Sequence, residues 1–148
     1  MSDHLRAQIR AAAVSALTGL TTSGARVKDS PVHPLQESDL PGLRIFTQAE
    51  SAEITTMGAT RKRARTLTLV VEACVKAATG YATSVDLMAK EIEVALDANN
   101  TLGGLCAQIE PRTFSEDQDG AGDKPVAVGR LEFEVLYYTR KGAPDTAA

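Results

Sequence analysis

Between Arg65 and Lys76 the chain reads RTLTLVVEACVK, and Leu67, Leu69, Val71, Ala73 and Val75 recur at every second position. A period of two over a run of this length predicts a strand with one face toward a core. From Ser2 to Leu20 the spacing changes. Leu5, Ile9, Ala12, Ala13, Ala16, Leu17 and Leu20 fall three and four apart, which draws one stripe along a helix. Ser2 or Asp3 is placed to cap its start, and Gly19 with the threonines around it to stop it. A second helical stripe, Val85, Met88, Ile92, Ala95 and Leu96, follows Thr83 and Ser84, either of which can cap it. Lys90, Glu91, Glu93 and Asp97 lie mainly off that stripe, and Asn99, Asn100, Gly103 and Gly104 supply the helix end and the reversal.

The remaining apolar pattern is shorter and less regular. ARVKDS reads as a short strand closed by Pro31 and Pro34, and GLRIFT at 42 to 47 as another, with Leu43 and Ile45 on one face. Leu105 to Phe114 reads as a strand that Pro111 confines to an edge or a bulge. In the last strand, 126 to 138, Val126 and Val128 are even while Leu131, Phe133, Val135 and Tyr137 are odd, a change of phase that predicts a bulge at Gly129 and Arg130. Residues 48 to 64 hold one isolated Ile and one Met among small and charged residues, which predicts a long loop or an extended hairpin arm. The window SEDQDGAGDK predicts an acidic surface loop, and residues 141 to 148 a flexible tail. Together these elements predict one α+β domain over 1 to 140, a mixed, mostly antiparallel sheet of about five strands packed against helices.

Composition narrows the function more than the fold. With 43% hydrophobic and 24% charged residues in 148, the chain lies far from the signature of disorder. Only 4% are aromatic and none is Trp, so aliphatic side chains must supply the burial. A formal net charge of −3 excludes a globally basic nucleic-acid binder and leaves room for local patches. No apolar run reaches membrane-spanning length, and Arg10 interrupts the Ala-rich N-terminal stretch, so neither a signal peptide nor a span is expected. Cys74 and Cys106 have apolar neighbours and no CxxC spacing, which predicts reduced, inert thiols.

Candidate chemistry is sparse. His4 and His33 have no partner at metal-ligand spacing. Glu132 and Glu134 share a strand face and resemble an acid/base pair, but alternation with Leu131, Phe133 and Val135 already places them on a solvated face. DGAGDKP lacks the order of a phosphate loop and leads into a strand instead of a helix. No enzyme activity, cofactor or metal is expected. The basic run Arg61, Lys62, Arg63 and Arg65 is the strongest charged feature. It lacks interleaved aromatics, and three readings stay open: a solvated loop, a protein interface, or a phosphate contact on nucleic acid. Glu116, Asp117, Asp119 and Asp123 form its acidic complement. In a head-to-tail ring the two sets would face each other and set orientation.

Several strings carry a family likeness over nearly the whole chain: LRAQIRAAAVSALTGL, PLQESDLPGLRIFT, RTLTLVVEACVKA, EVALDANNTLGGL and GRLEFEVLYYTR, in that order. The set resembles the tail-terminator proteins of long-tailed bacteriophages, the minor tail protein U kind. The resemblance implies a structural virion protein of the tail or neck, assembled in the host cytoplasm as a hexameric ring. Such a ring caps the tail tube, stops its polymerisation and meets the head-completion or connector proteins. Its partners would be copies of itself, the tube protein and those neck proteins, with DNA passing through the lumen at most non-specifically and no membrane contact. Carried over, only the arm ending in Arg61 to Arg65 and the acidic loop 116 to 123 match parts placed at such contacts. A head-completion or connector protein of the neck, and a small nucleic-acid-binding domain, are the alternatives.

Overall fold

The alternating stretch becomes the middle strand of a five-stranded sheet in the computed structural model, which describes residues 3–29, 40–76, 79–119 and 126–148. The elements run α1 (Leu5–Leu17), β1 (Val27–Lys28), β2 (Gly42–Ile54), β3 (Lys62–Lys76), α2 (Tyr81–Ala98), β4 (Gln108–Asp119) and β5 (Val126–Arg140). In space the strands lie in the order β1, β2, β3, β5, β4; β1 and β2 are parallel and the other neighbours antiparallel. The architecture is α+β, with a mixed, mostly antiparallel sheet and the helices on one face.

That face is the odd side of β3. Leu67, Leu69, Val71, Ala73 and Val75 all join the core, together with the α1 stripe Leu5, Ile9, Ala13 and Leu17 and the α2 stripe Val85, Met88, Ala89, Ile92 and Leu96. Aliphatic burial of this kind contributes about 1.5 to 3 kcal/mol per fully buried side chain. The even side carries a charge ladder instead. Glu72 accepts from Arg44 at 3.0 Å and lies 3.6 Å from Arg130, whose guanidinium sits over the Phe46 ring at 5.6 Å. Val70 and Cys74 are also fully buried on this side, beside the ladder.

Several expectations need correction. The phase change in the last strand is not a bulge. β5 pairs with β3 without interruption from Lys76↔Val126 to Lys62↔Arg140, and Ala127 and Gly129 occupy the core side. Small residues are required there because α2 crosses above: a Cβ on Gly129 would stand 2.3 Å from Val85 Cγ1. The irregularities sit elsewhere, between Thr47 and Ala49 in β2 and between Pro111 and Thr113 in edge strand β4. Of the two readings of 48 to 64, the hairpin arm is the one that forms: Ala49 to Ile54 pair with Thr68 to Arg63, which leaves a loop of 55 to 61. Likewise Ser115 to Asp119 belong to β4 and are not loop.

The helix starts also differ. His4 is the α1 N-cap, its Nδ1 accepting from Arg6 N at 3.1 Å, and α2 begins at Tyr81 after a left-handed Gly80 with no side-chain cap. The stretch 141 to 148 hydrogen-bonds to α1 and β5. Leu5 N donates to Pro144 O at 2.8 Å, Gln8 Nε2 to Asp145 O at 2.9 Å, and Ala148 N to Tyr138 O at 2.9 Å. Pro31, His33 and Pro34 lie outside the described residues.

Candidate subunit interface

The β2–β3 hairpin presents the basic run, and the structure divides it. At the loop end Arg61 donates from Nε to Gly58 O at 3.2 Å, and Lys62 N donates to Thr56 Oγ1 at 2.6 Å. The Lys62 ammonium lies 4.6 Å from the centre of the Tyr138 ring, on the helix-free face. Arg63 stands between Ile54 and Thr139 in the ladder and is half-buried.

Arg65 is turned inward, its side chain only 12% exposed. It shares the odd phase of Leu67 and so points under α1, where its Nη1 donates to Glu50 Oε2 at 3.0 Å and its Nε to Thr139 Oγ1 at 2.8 Å. Arg6 of α1 donates to the same carboxylate oxygen at 2.8 Å, and the fully buried Tyr137 hydroxyl donates to Oε1 of Glu50. Burial, and then the Glu50 carboxylate, push the Tyr137 hydroxyl well above the usual phenol range. Glu50 reaches this side because the irregularity after Thr47 shifts the phase of β2 by one residue. It is an internal polar clamp that ties α1 to three strands.

Of the acidic set, Glu116 and Asp117 lie far from the basic run. Glu116 and Asp117 are exposed on β4, opposite Gly129 and Val128. Asp119 pairs with Val126 through its backbone, its side chain lying outside the described part, and Asp123 lies outside the described residues altogether. Eleven positions along β5 separate the level of Gly129 from that of Arg140 beside Lys62, or about 35 Å at strand rise. One subunit therefore does not bring Glu116 and Asp117 to the basic run.

Sequence reasoning missed the apolar members of these surfaces. Ile54 and Met57 stand 57% and 92% exposed at the hairpin end, while Leu87, Val94 and Phe114 stand 50%, 60% and 47% exposed around α2 and β4. Phe114 and Val94 line a groove of about 640 Å³ between α2 and β4, with Asp86, Glu93 and Asp97 along its helix side. Val94 and Leu87 also line a second groove of about 470 Å³ between α2 and the turn after α1. The available signals were an isolated Ile and Met in a polar arm, and Leu87 and Val94 seven apart and off the buried stripe.

The remaining candidate groups are occupied structurally. Glu134 accepts from Arg112 Nε at 2.6 Å, which holds its carboxyl below the usual carboxylate range, and Glu132 accepts from Thr113 Oγ1 at 2.9 Å. Burial pushes the Cys74 and Cys106 thiols up to about 11. Among the described residues no three His, Cys, Asp or Glu groups are placed to hold a metal ion, and no helix is long and apolar enough to cross a membrane.

No protein-family model matches the chain, and no curated protein matches it. Among solved structures it is similar to a chain of the virion of a native gene transfer agent particle, at 16% identity and a TM-score of 0.37 over 90% of this chain and 92% of that one. A likeness of that strength carries no argument about function.

Proposed function

We propose that this chain is a structural subunit of a phage-like virion, a tail terminator that works by assembling into a ring, with no catalytic role. In this role it stops growth of the tail tube and offers its other side to the head-completion or connector proteins. The observation that carries the reading is the placement of exposed apolar side chains. Among the described residues, Ile54 and Met57 mark the basic hairpin end, and Val94 and Phe114 the unlike, acidic side of α2 and β4. Two unlike patches on one subunit suit a heterologous interface, which closes into a ring when the rotation between neighbours closes. The segment likenesses to the tail-terminator kind supply the station in the virion.

Negative-stain images and light scattering of the purified protein test the assembly, with a hexameric ring and open lumen expected. In a phage or particle that encodes the chain, its loss is expected to give overlong tails. Heads without tails would point instead to a head-completion or connector role. A monomer at every attainable concentration that leaves tube length unchanged would overturn the proposal.

A further inference from the structure

Resting on the reading of the chain as a self-assembling subunit, we infer that the β2–β3 hairpin end of one copy seats in the α2–β4 groove of the next. The two surfaces match in both chemistries that decide such a contact. Met57 is 92% exposed at the end of the arm and Phe114 is 47% exposed in the groove. An unbranched thioether adapts to an irregular groove and makes favourable contacts with an aromatic ring. Burying this pair removes from water two of the large apolar side chains exposed among the described residues.

Charge fixes the direction. The hairpin end carries Arg61, Lys62 and Arg63, whereas the α2 side of the groove carries Asp86, Glu93 and Asp97 against Lys90. The groove's other cation, Arg112, is held by Glu134 at 2.6 Å. Like patches meeting across a two-fold axis would set cations against cations at the arms, or carboxylates against carboxylates at the grooves. The arm-to-groove arrangement sets opposite signs together.

The contact must be made between copies. Phe114 lies opposite Leu131 and Lys62 opposite Arg140, nine positions further along β5, so arm and groove are separated by about 30 Å at strand rise. Each copy therefore uses its arm on one neighbour and its groove on the other.

Disulfide trapping tests this directly, since the chain's own Cys74 and Cys106 are buried. Met57→Cys and Val94→Cys variants with tags of different size are mixed and oxidised, with Ser15→Cys on the exposed side of α1 as the control partner. The expected product links one Met57→Cys chain to one Val94→Cys chain, and the double variant gives a ladder that ends at the ring number. Dimers of Met57→Cys alone, or no product while rings still form, overturn the inference. As an independent measure, Arg61→Glu with Arg63→Glu is expected to weaken self-association by about tenfold or more, and Glu93→Lys with Asp97→Lys on the next copy to restore it. Rings that trap as expected yet leave tube growth unchanged would sink the proposed function alone. Rings that stop tube growth without this cross-link would sink the inference alone.

Discussion

Glu50 links α1 to the hairpin through polar contacts. Its carboxylate receives Arg6, Arg65 and the Tyr137 hydroxyl, and its own side chain is only 10% exposed. Removing one member of such a group is costly because the rest stay buried without their partner. Glu50→Ala is therefore expected to lower unfolding free energy by about 3 kcal/mol in denaturant titrations. A double change of Glu50 and Arg65 to Met, which removes both charges, should cost less than Glu50→Ala; a larger cost would show that the clamp contributes net stability. His4 adds a pH-dependent effect at the start of the same helix. Burial, and then the nearby Arg6, hold its imidazole below 6.5, so the unfolded chain takes up the proton first as pH falls. Stability is then present above about pH 6.5 and lost as pH drops below it. Thermal melts of the protein and of His4→Asn, a cap that does not titrate, should diverge below that pH and run parallel above it.

At the scale of elements, α2 packs closely over β5 at Gly129. Gly129 is there because Val85 leaves no room for a methyl group, with 2.3 Å to a built Cβ. Gly129→Ala is expected to destabilise by about 1 to 3 kcal/mol through overpacking, and Val85→Ala on that background should recover part of the loss in the same unfolding assay. A deficit that Val85→Ala does not reduce would mean that backbone freedom, not contact, selects glycine there. The same crossing explains what could be read beforehand and what could not. β3 and both buried helix stripes were legible because each position faces one environment along its whole length. In β5 the small residues Ala127 and Gly129 occupy the core side under α2, so apolar alternation fades where packing is closest and resembles a bulge. The real irregularity in β2 lies among polar residues, where there is no apolar phase to see it change. The internal pairing of Arg65 was hidden for a related reason. Its phase was visible from Leu67, but its partner Glu50 reaches the same side only through that irregularity. Asn100 is another detail that emerges only in three dimensions, its amide accepting from Ile109 N at 3.3 Å and donating to Ile109 O at 2.8 Å where edge strand β4 begins.

For the whole molecule, the separation of arm and groove leads to a kinetic expectation. Most charges at the two surfaces are exposed or half-buried, so salt screens them, with a Debye length that falls from about 10 Å at 0.1 M to about 3 Å at 1 M. The apolar members, Met57 and Phe114, are not weakened by screening. Charge should therefore act mainly on encounter and orientation, and apolar contact on residence. Stopped-flow light scattering at the two salt concentrations is expected to show slower association with dissociation nearly unchanged. Met57→Ala should do the reverse, speeding dissociation while leaving the salt response of association intact. Were high salt instead to speed dissociation as strongly as Met57→Ala does, the ion pairs would be desolvated parts of the seat, and the arm would hold its neighbour by charge as well as find it.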